Sequence, residues 1–223
     1  MRHKHRFPES AVDSIVVLIS GRGSNLQSIL QADLPGEVTA VISNRTDAGG
    51  LEYAQQHGIP TAVVSHKDYP DRAAFDDALA REIDSYQPQL VVLAGFMRIL
   101  TPEFVRHYRG RLINIHPSLL PAYPGLDTHA RAIADGVKIH GCTVHYVTEA
   151  LDHGPIIVQA AVPVLKNDTP ATLAARVLHE EHRIYPQAIR WICRHYVVLD
   201  ESGKVHFRRL EQPGPALISP SLD

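Results

Sequence analysis

Short runs of apolar, largely β-branched residues punctuate the first half of the chain at Ser14–Ser20, Val38–Ser43, Thr61–Val64, Leu90–Ala94 and Leu112–Ile115. Segments with helical spacing stand between them: Asn25–Gln31, Ala48–His57, Arg72–Tyr86 and Thr101–Tyr108. The third lines Phe75, Leu79, Ile83 and Tyr86 on one stripe. The fourth opens Thr101-Pro102-Glu103, an N-cap followed by a proline whose missing N–H costs nothing there. Strands alternating with helices predict βαβ units, and so an α/β domain with a mostly parallel, twisted sheet flanked by helices.

After Pro117 the pattern changes. A Pro/Gly loop to Gly125 and a short helix near His129–Ala134 come first, then alternating strands at Cys142–Val147 and Ile156–Val162. A long helix is predicted over Pro170–Arg194, N-capped by Thr169, with Pro186 expected to kink or split it. Val197–Leu199 and Val205–Arg209 can close a terminal hairpin. Residues 1–13 and 211–223 lack apolar periodicity and read as flexible tails around a single domain over 14–199. No repeat and no linker between two cores is visible.

Composition narrows the field. The 223 residues carry a net charge of −2, which argues against nucleic acid as a main partner but leaves room for a small anionic ligand. Cys142 and Cys193 lack any C-x-x-C spacing and read as reduced, buried thiols. The run Ile15–Ile19 is too short for a secretory signal, and Leu90–Met97 is far below the roughly 18 residues of a membrane span. The expectation is a soluble, cytoplasmic protein with no membrane partner. The 14 histidines first suggest metal. However, in His179-Glu180-Glu181-His182 the second His falls one short of the H-E-x-x-H position, where Arg183 stands.

The first predicted strand runs directly into Ser20-Gly21-Arg22-Gly23-Ser24-Asn25 and then a helix. Glycines allow the sharp turn, and the helix start offers unpaired N–H groups to a phosphate or carboxylate. A dinucleotide fingerprint fails, because Leu26 replaces the third Gly and the second strand ends in Ser43-Asn44-Arg45 without a ribose-binding acid. A Walker loop fails for want of Gly-Lys-Ser/Thr. A plain tight turn and a ligand turn weigh about equally on the glycines alone, and Ser24 and Asn25 tilt the balance to a single phosphate group.

In Leu112-Ile113-Asn114-Ile115-His116-Pro117, alternation puts Asn114 and His116 on one face at the carboxyl end of a strand, where open α/β sheets bind ligands. An amide can donate to a developing oxyanion and an imidazole can carry a proton, which suits acyl transfer. A loop-anchoring hydrogen bond is the bland alternative for such a pair. The acidic turn Glu149-Ala150-Leu151-Asp152-His153-Gly154-Pro155 brings Asp152, able to orient and charge His116 or to act through a water. His145 lies on an alternating strand and faces either the site or solvent.

Four segments together carry a resemblance: Ser20-Gly21-Arg22-Gly23-Ser24-Asn25-Leu26, Leu93-Ala94-Gly95-Phe96-Met97-Arg98-Ile99-Leu100, Asn114-Ile115-His116-Pro117-Ser118-Leu119-Leu120-Pro121 and Leu151-Asp152-His153-Gly154-Pro155. In this order, over Ile15 to Trp191, they resemble the phosphoribosylglycinamide formyltransferases. The resemblance implies the Rossmann-like formyltransferase fold, with antiparallel strands in the C-terminal half. It also implies formyl transfer from 10-formyltetrahydrofolate, as co-substrate, to the amine of glycinamide ribonucleotide, with no metal.

By that resemblance Asn114, His116 and Asp152 are catalytic, with His145 and Ser118 in support. Gly21, Arg22, Gly23, Ser24 and Asn25 hold the substrate phosphate, and Glu181 the ribose hydroxyls. Met97, Arg98, Ile99, Leu100, Asn114 and the loop Thr148, Glu149, Ala150, Leu151 and Asp152 line the folate site, with Arg72 near the glutamate tail. Ala122 and Asp127 depart from relatives that carry Lys and His there, which touches rim contacts only. The segment before Ser14 has no counterpart in shorter relatives and is assigned no role.

The rivals are separable. A 10-formyltetrahydrofolate hydrolase would use the same three groups but would not need the phosphate turn. A transformylase of initiator tRNA would need a basic domain after Arg194, and a nucleotide-binding module would leave Asn114, His116 and Asp152 unexplained. A monomer and a homodimer are equally compatible with the sequence.

Overall fold

The first strand, β1 (Ser14–Ile19), is buried from Ile15 onward and pairs on both sides, so it lies inside a sheet. That sheet has seven strands in the order β3-β2-β1-β4-β5-β6-β7 in the computed structural model, which describes residues 12–200 and 202–208. The strands β2 (Glu37–Ser43), β3 (Thr61–Val63), β4 (Leu90–Leu93) and β5 (Leu112–His116) run parallel to β1. β6 (Ile139–Tyr146) and β7 (Ile156–Pro163) are antiparallel additions. Of the two tails expected at 1–13 and 211–223, only residues 12 and 13 fall within the described residues.

Helices cover both faces. α1 (Ser24–Gln31), α2 (Gly49–Gln56) and α6 (Pro170–Cys193) bury Leu26, Ile29, Leu51, Ala54, Ala188 and Ile189 against one face. α3 (Arg72–Ser85) and α4 (Pro102–His107) bury Phe75, Leu79, Ile83 and Phe104 against the other. Thr101 and Thr169 cap α4 and α6 as predicted, their hydroxyls accepting from the N–H of Phe104 and Thr172. The chain leaves β1 toward one face and β4 toward the other, so β1 and β4 flank the topological switch point, where a crevice opens at the carboxyl ends of the strands.

Two expectations need correction. β6 begins at Ile139, three residues before the predicted start at Cys142, because Ile139, His140 and Gly141 pair with Pro163, Val162 and Ala161. A glycine weakens a strand locally, yet here a Cβ on Gly141 would lie 1.9 Å from the Ala160 carbonyl oxygen, so only glycine lets β6 and β7 meet. Pro186 does not split α6, which continues through it as one helix. The lost backbone bond is offset by burial of Tyr185, Ala188 and Ile189, and by the Tyr185 hydroxyl, which donates to the carbonyls of Leu93 (2.8 Å) and Ile113 (3.3 Å). A short helix α5 (Thr128–Ala134) and a hairpin of β8 (Val197–Leu199) and β9 (Val205–Phe207) complete the described chain. Cys142 and Cys193 are both free and buried.

Candidate active site

The glycine turn sits where β1 gives way to α1. Gly23 is the N-cap of α1 at φ +76°, and a Cβ there would lie 2.9 Å from the Cα of Gly50, so both conformation and space demand glycine. No side chain caps this helix, and its first N–H groups face the crevice mouth beside exposed Gly21 and Arg22. Asn25 is buried and its amide donates to Glu181 Oε2 at 2.8 Å, while its own Oδ1 has no partner. Burial pushes the Glu181 carboxyl above its ordinary range, and the bond from Asn25 opposes that shift. Two residues assigned to one ligand from the sequence therefore touch each other across 156 positions of chain.

Alternation along β5 works as predicted. Ile113 and Ile115 join the core under α6, and Asn114 and His116 project from the opposite face at the strand end. His116 Nε2 lies 2.9 Å from the Tyr123 carbonyl, and since a carbonyl only accepts, that nitrogen carries a proton. The other nitrogen, Nδ1, then faces Asp152 Oδ2 at 3.5 Å, with both side chains about 8% exposed. The same carboxylate oxygen accepts from Gly125 N–H at 2.8 Å. Asp152 itself is held at φ +50°, a left-handed conformation unusual for a non-glycine residue.

His145 stands directly opposite Asn114 in the antiparallel register, which resolves its two possible orientations toward the Asn114 side. It is buried, Nδ1 donates to its neighbour's carbonyl at Tyr146 (3.0 Å), and Nε2 has no partner. Desolvation lowers its pKa, favouring the neutral ring. Ser118 is fully buried, its hydroxyl donating to the Ala122 carbonyl at 2.6 Å.

Exposed apolar side chains stand on the segment after β4, the neighbour of β5, and on the loop that carries Asp152. Met97, Ile99 and Leu151 are 68%, 58% and 59% exposed although each lies beside the crevice. Arg98 is half-buried with its guanidinium 5.7 Å from the Phe75 ring centroid, Leu100 is half-buried, and Arg72 is exposed at the start of α3. In the loop from Thr148 to Asp152, Glu149 pairs with Arg106 at 3.0 Å and the Thr148 hydroxyl donates to the Ala150 carbonyl at 3.3 Å. His179 is exposed beside Glu180, and no group of His, Cys, Asp or Glu among the described residues could hold a metal ion. No helix among them is long and apolar enough to cross a membrane.

Several groups that shape the site escaped sequence reasoning. The Tyr123 carbonyl is a backbone atom and leaves no signature. Thr143 is a buried hub whose hydroxyl donates to the Ser118 carbonyl (2.7 Å) and accepts from Leu120 N–H (3.1 Å) and the Gln159 amide (3.0 Å), pinning the loop that carries Tyr123. Asp76, buried on α3, accepts from Thr101 N–H at 2.6 Å, and burial raises its pKa. An acid inside the apolar stripe of α3 was the available signal for Asp76.

Comparison with known proteins agrees with this arrangement. The formyl transferase family pattern matches residues 13–189. The phosphoribosylglycinamide formyltransferase of Escherichia coli (strain K12) is 55% identical over 182 residues, covering 80% of this chain and 86% of that protein. The solved phosphoribosylglycinamide formyltransferase of Coxiella burnetii superposes with a TM-score of 0.83 at 51% identity, covering 87% of this chain and 93% of the other. The glycinamide ribonucleotide transformylase 1 of Symbiobacterium toebii gives 0.84 at 46% identity, with 92% and 98% covered. With the sheet order, the glycine turn and the Asn114–His116–Asp152 geometry already in place, the chain belongs to the formyl transferase family, among its phosphoribosylglycinamide formyltransferases.

Proposed function

We propose that this enzyme transfers the formyl group of 10-formyltetrahydrofolate to the primary amine of glycinamide ribonucleotide, giving N-formylglycinamide ribonucleotide and tetrahydrofolate in de novo purine biosynthesis. The observation that carries the reading is convergence. The paired His116 and Asp152, with Asn114 beside them, stand at the same edge of the sheet as the uncapped N-terminus of α1. A phosphate on that helix end would hold an amine-bearing nucleotide beside the reacting groups.

The amine nitrogen attacks the formyl carbon and forms the new C–N bond. The carbonyl oxygen takes the negative charge, stabilised by the Asn114 amide and by the positive charge of protonated His116, whose Nε2–H is committed to the Tyr123 carbonyl and whose Nδ1 faces Asp152. The bond to N10 of the folate then breaks, and the proton lost by the amine reaches N10 with Asp152 and water assisting. Asn114 and the segments Met97–Leu100 and Thr148–Asp152 hold the folate, with Arg72 near its glutamate tail. Gly21 to Asn25 and Glu181 hold the phosphoribosyl part. His145 and Ser118 support the site from behind, and the chemistry requires no metal. The same reading takes the enzyme as cytoplasmic, a monomer or homodimer, acting on two small molecules.

The test is an incubation of the purified protein with 10-formyltetrahydrofolate, with and without glycinamide ribonucleotide. Formyl loss only when the amine is present is expected. Loss without the amine would assign a hydrolase instead, and no loss in either tube would leave a binding protein.

A further inference from the structure

The crevice at the switch point needs its two walls held at a fixed separation, and the wall after β4, from Gly95 (φ +74°) to Leu100, has no regular secondary structure to do so. Ser20, the last residue before the glycine turn, spans the gap. Its N–H donates to the Gly95 carbonyl at 3.2 Å and its hydroxyl oxygen accepts from Met97 N–H at 2.8 Å. The hydroxyl proton goes to Asn44 Oδ1 at 2.6 Å, and since that oxygen only accepts, the lone pair is left facing Met97. Asn44 in turn meets the His66 ring, through its side-chain amide at 3.3 Å and its carbonyl at 3.1 Å. Ser20 and Asn44 are 6% and 3% exposed, so these bonds lie away from bulk solvent.

We propose that Ser20 is a positioning residue for the folate, its hydroxyl latching the backbone of Met97 so that the loop Met97–Leu100 presents a preformed wall to the ligand. The proposal rests on the reading that this loop lines the folate site. The Met97 side chain is free to move over a ligand while its backbone is fixed by Ser20 and, beyond Leu100, by Asp76 on Thr101. The glycine turn on the other side of Ser20 has its own ties, Gly50 N–H to the Gly21 carbonyl at 3.2 Å and Gln27 N–H to the Gly23 carbonyl at 2.9 Å. Loss of the Ser20 hydroxyl therefore loosens one ligand's wall and spares the other's. Asn44 stands where a dinucleotide enzyme would carry its ribose-binding acid, and here that position serves the latch.

Steady-state kinetics of Ser20→Ala and Ser20→Thr, with each substrate varied in turn, test this. For Ser20→Ala the KM for 10-formyltetrahydrofolate is expected to rise on the order of tenfold, the loss that follows from stranding one buried donor and one buried acceptor. Under the same conditions kcat should stay within about threefold and the KM for glycinamide ribonucleotide within about twofold, and Ser20→Thr should restore most of the folate KM. Amide exchange at Met97 should accelerate in Ser20→Ala. A folate KM within about twofold of the unsubstituted enzyme overturns the proposal. So does a parallel rise in both KM values that threonine fails to rescue, which marks a general structural role. Should Ser20→Ala not fold, Asn44→Ala, which leaves the hydroxyl proton free to turn toward Met97, is expected to raise the folate KM about threefold, and no change there overturns it equally. An unsubstituted enzyme that transfers no formyl group would sink the functional reading and this proposal together, whereas active wild type with an indifferent Ser20→Ala sinks the latch alone.

Discussion

The two halves of the site are built by opposite means. The turn from Gly21 to Asn25 is local: glycine supplies the left-handed conformation, the helix start leaves backbone N–H groups without a side-chain cap, and the neighbouring strand and helix set the position. The side around His116 is assembled from distant loops, and three non-glycine residues there, Tyr123, Asp127 and Asp152, hold left-handed conformations at φ +54°, +55° and +50°. Such conformations cost roughly 1–2 kcal/mol each and persist only because the surroundings determine them. Around Tyr123 and Asp127 buried hydroxyls tie the loop, Thr143 on Ser118 and Leu120, Ser118 on Ala122 and Thr128 on Pro117, and the Asp152 carboxylate is held by the Gly125 N–H. A binding element can be read from adjacent residues, but a catalytic geometry of this kind depends on hydrogen bonds between strands and loops far apart in sequence.

That contrast predicts different failures on the two sides. The largest effect is expected for Asn114→Ala, which removes an oxyanion donor and should lower kcat about 10²–10³-fold with the fold and the glycinamide ribonucleotide KM preserved. Near-normal turnover in a folded variant would remove Asn114 from the chemistry. Next is Gly23→Ala. Its left-handed φ and the backbone of Gly50 should destabilise the protein by about 1–3 kcal/mol and raise the KM for glycinamide ribonucleotide more than they lower kcat, measured by thermal melting and kinetics. A kcat effect without a KM effect would break the assignment of binding to the turn.

Thr143→Val should cost about 1–3 kcal/mol of stability, since it leaves Leu120 N–H without its acceptor, and should act on kcat through the Tyr123 loop. Were it to raise only the phosphate-substrate KM, the two sides would not be independent. The smallest effect concerns Glu181. Burial raises its folded pKa above the unfolded value of about 4.3, so below that value the group is protonated in both states and burial carries no charge penalty. As pH rises through this window the unfolded chain ionises first and folded stability falls. Glu181→Gln lacks that loss, so its melting temperature should gain on the wild type as pH rises from the ordinary glutamate range toward neutrality. A gap that stays constant or narrows over that range would contradict the charge state inferred for the buried carboxyl.

Much of the parallel half was legible in advance. Buried parallel strands read as apolar runs, and the caps at Thr101 and Thr169 announce their helices. Alternation put Asn114 and His116 on one face from sequence alone. The start of β6 was not legible, because His140 and Gly141 look like loop residues until β7 is beside them. Nor was the continuity of α6 through Pro186, where tertiary packing outweighs a local rule. The acidic turn offered Asp152 as a partner for His116 and the resemblance made it catalytic, but its approach to His116 depends on a left-handed Asp and a Gly125 amide that no periodicity reports.

The pairing of Asn25 with Glu181 sets a timetable for synthesis. The 156 residues between them take roughly 8–30 s to translate at 5–20 residues per second. Throughout that interval the segment that becomes α1 has been made without α6, against which it packs in the finished fold, and Asn25 does not yet have Glu181 to meet. The contact of Asn25 with Glu181, and with it the pocket proposed for the substrate, is completed only once α6 has been made, so a nascent chain carries the glycine turn well before it carries an enzyme.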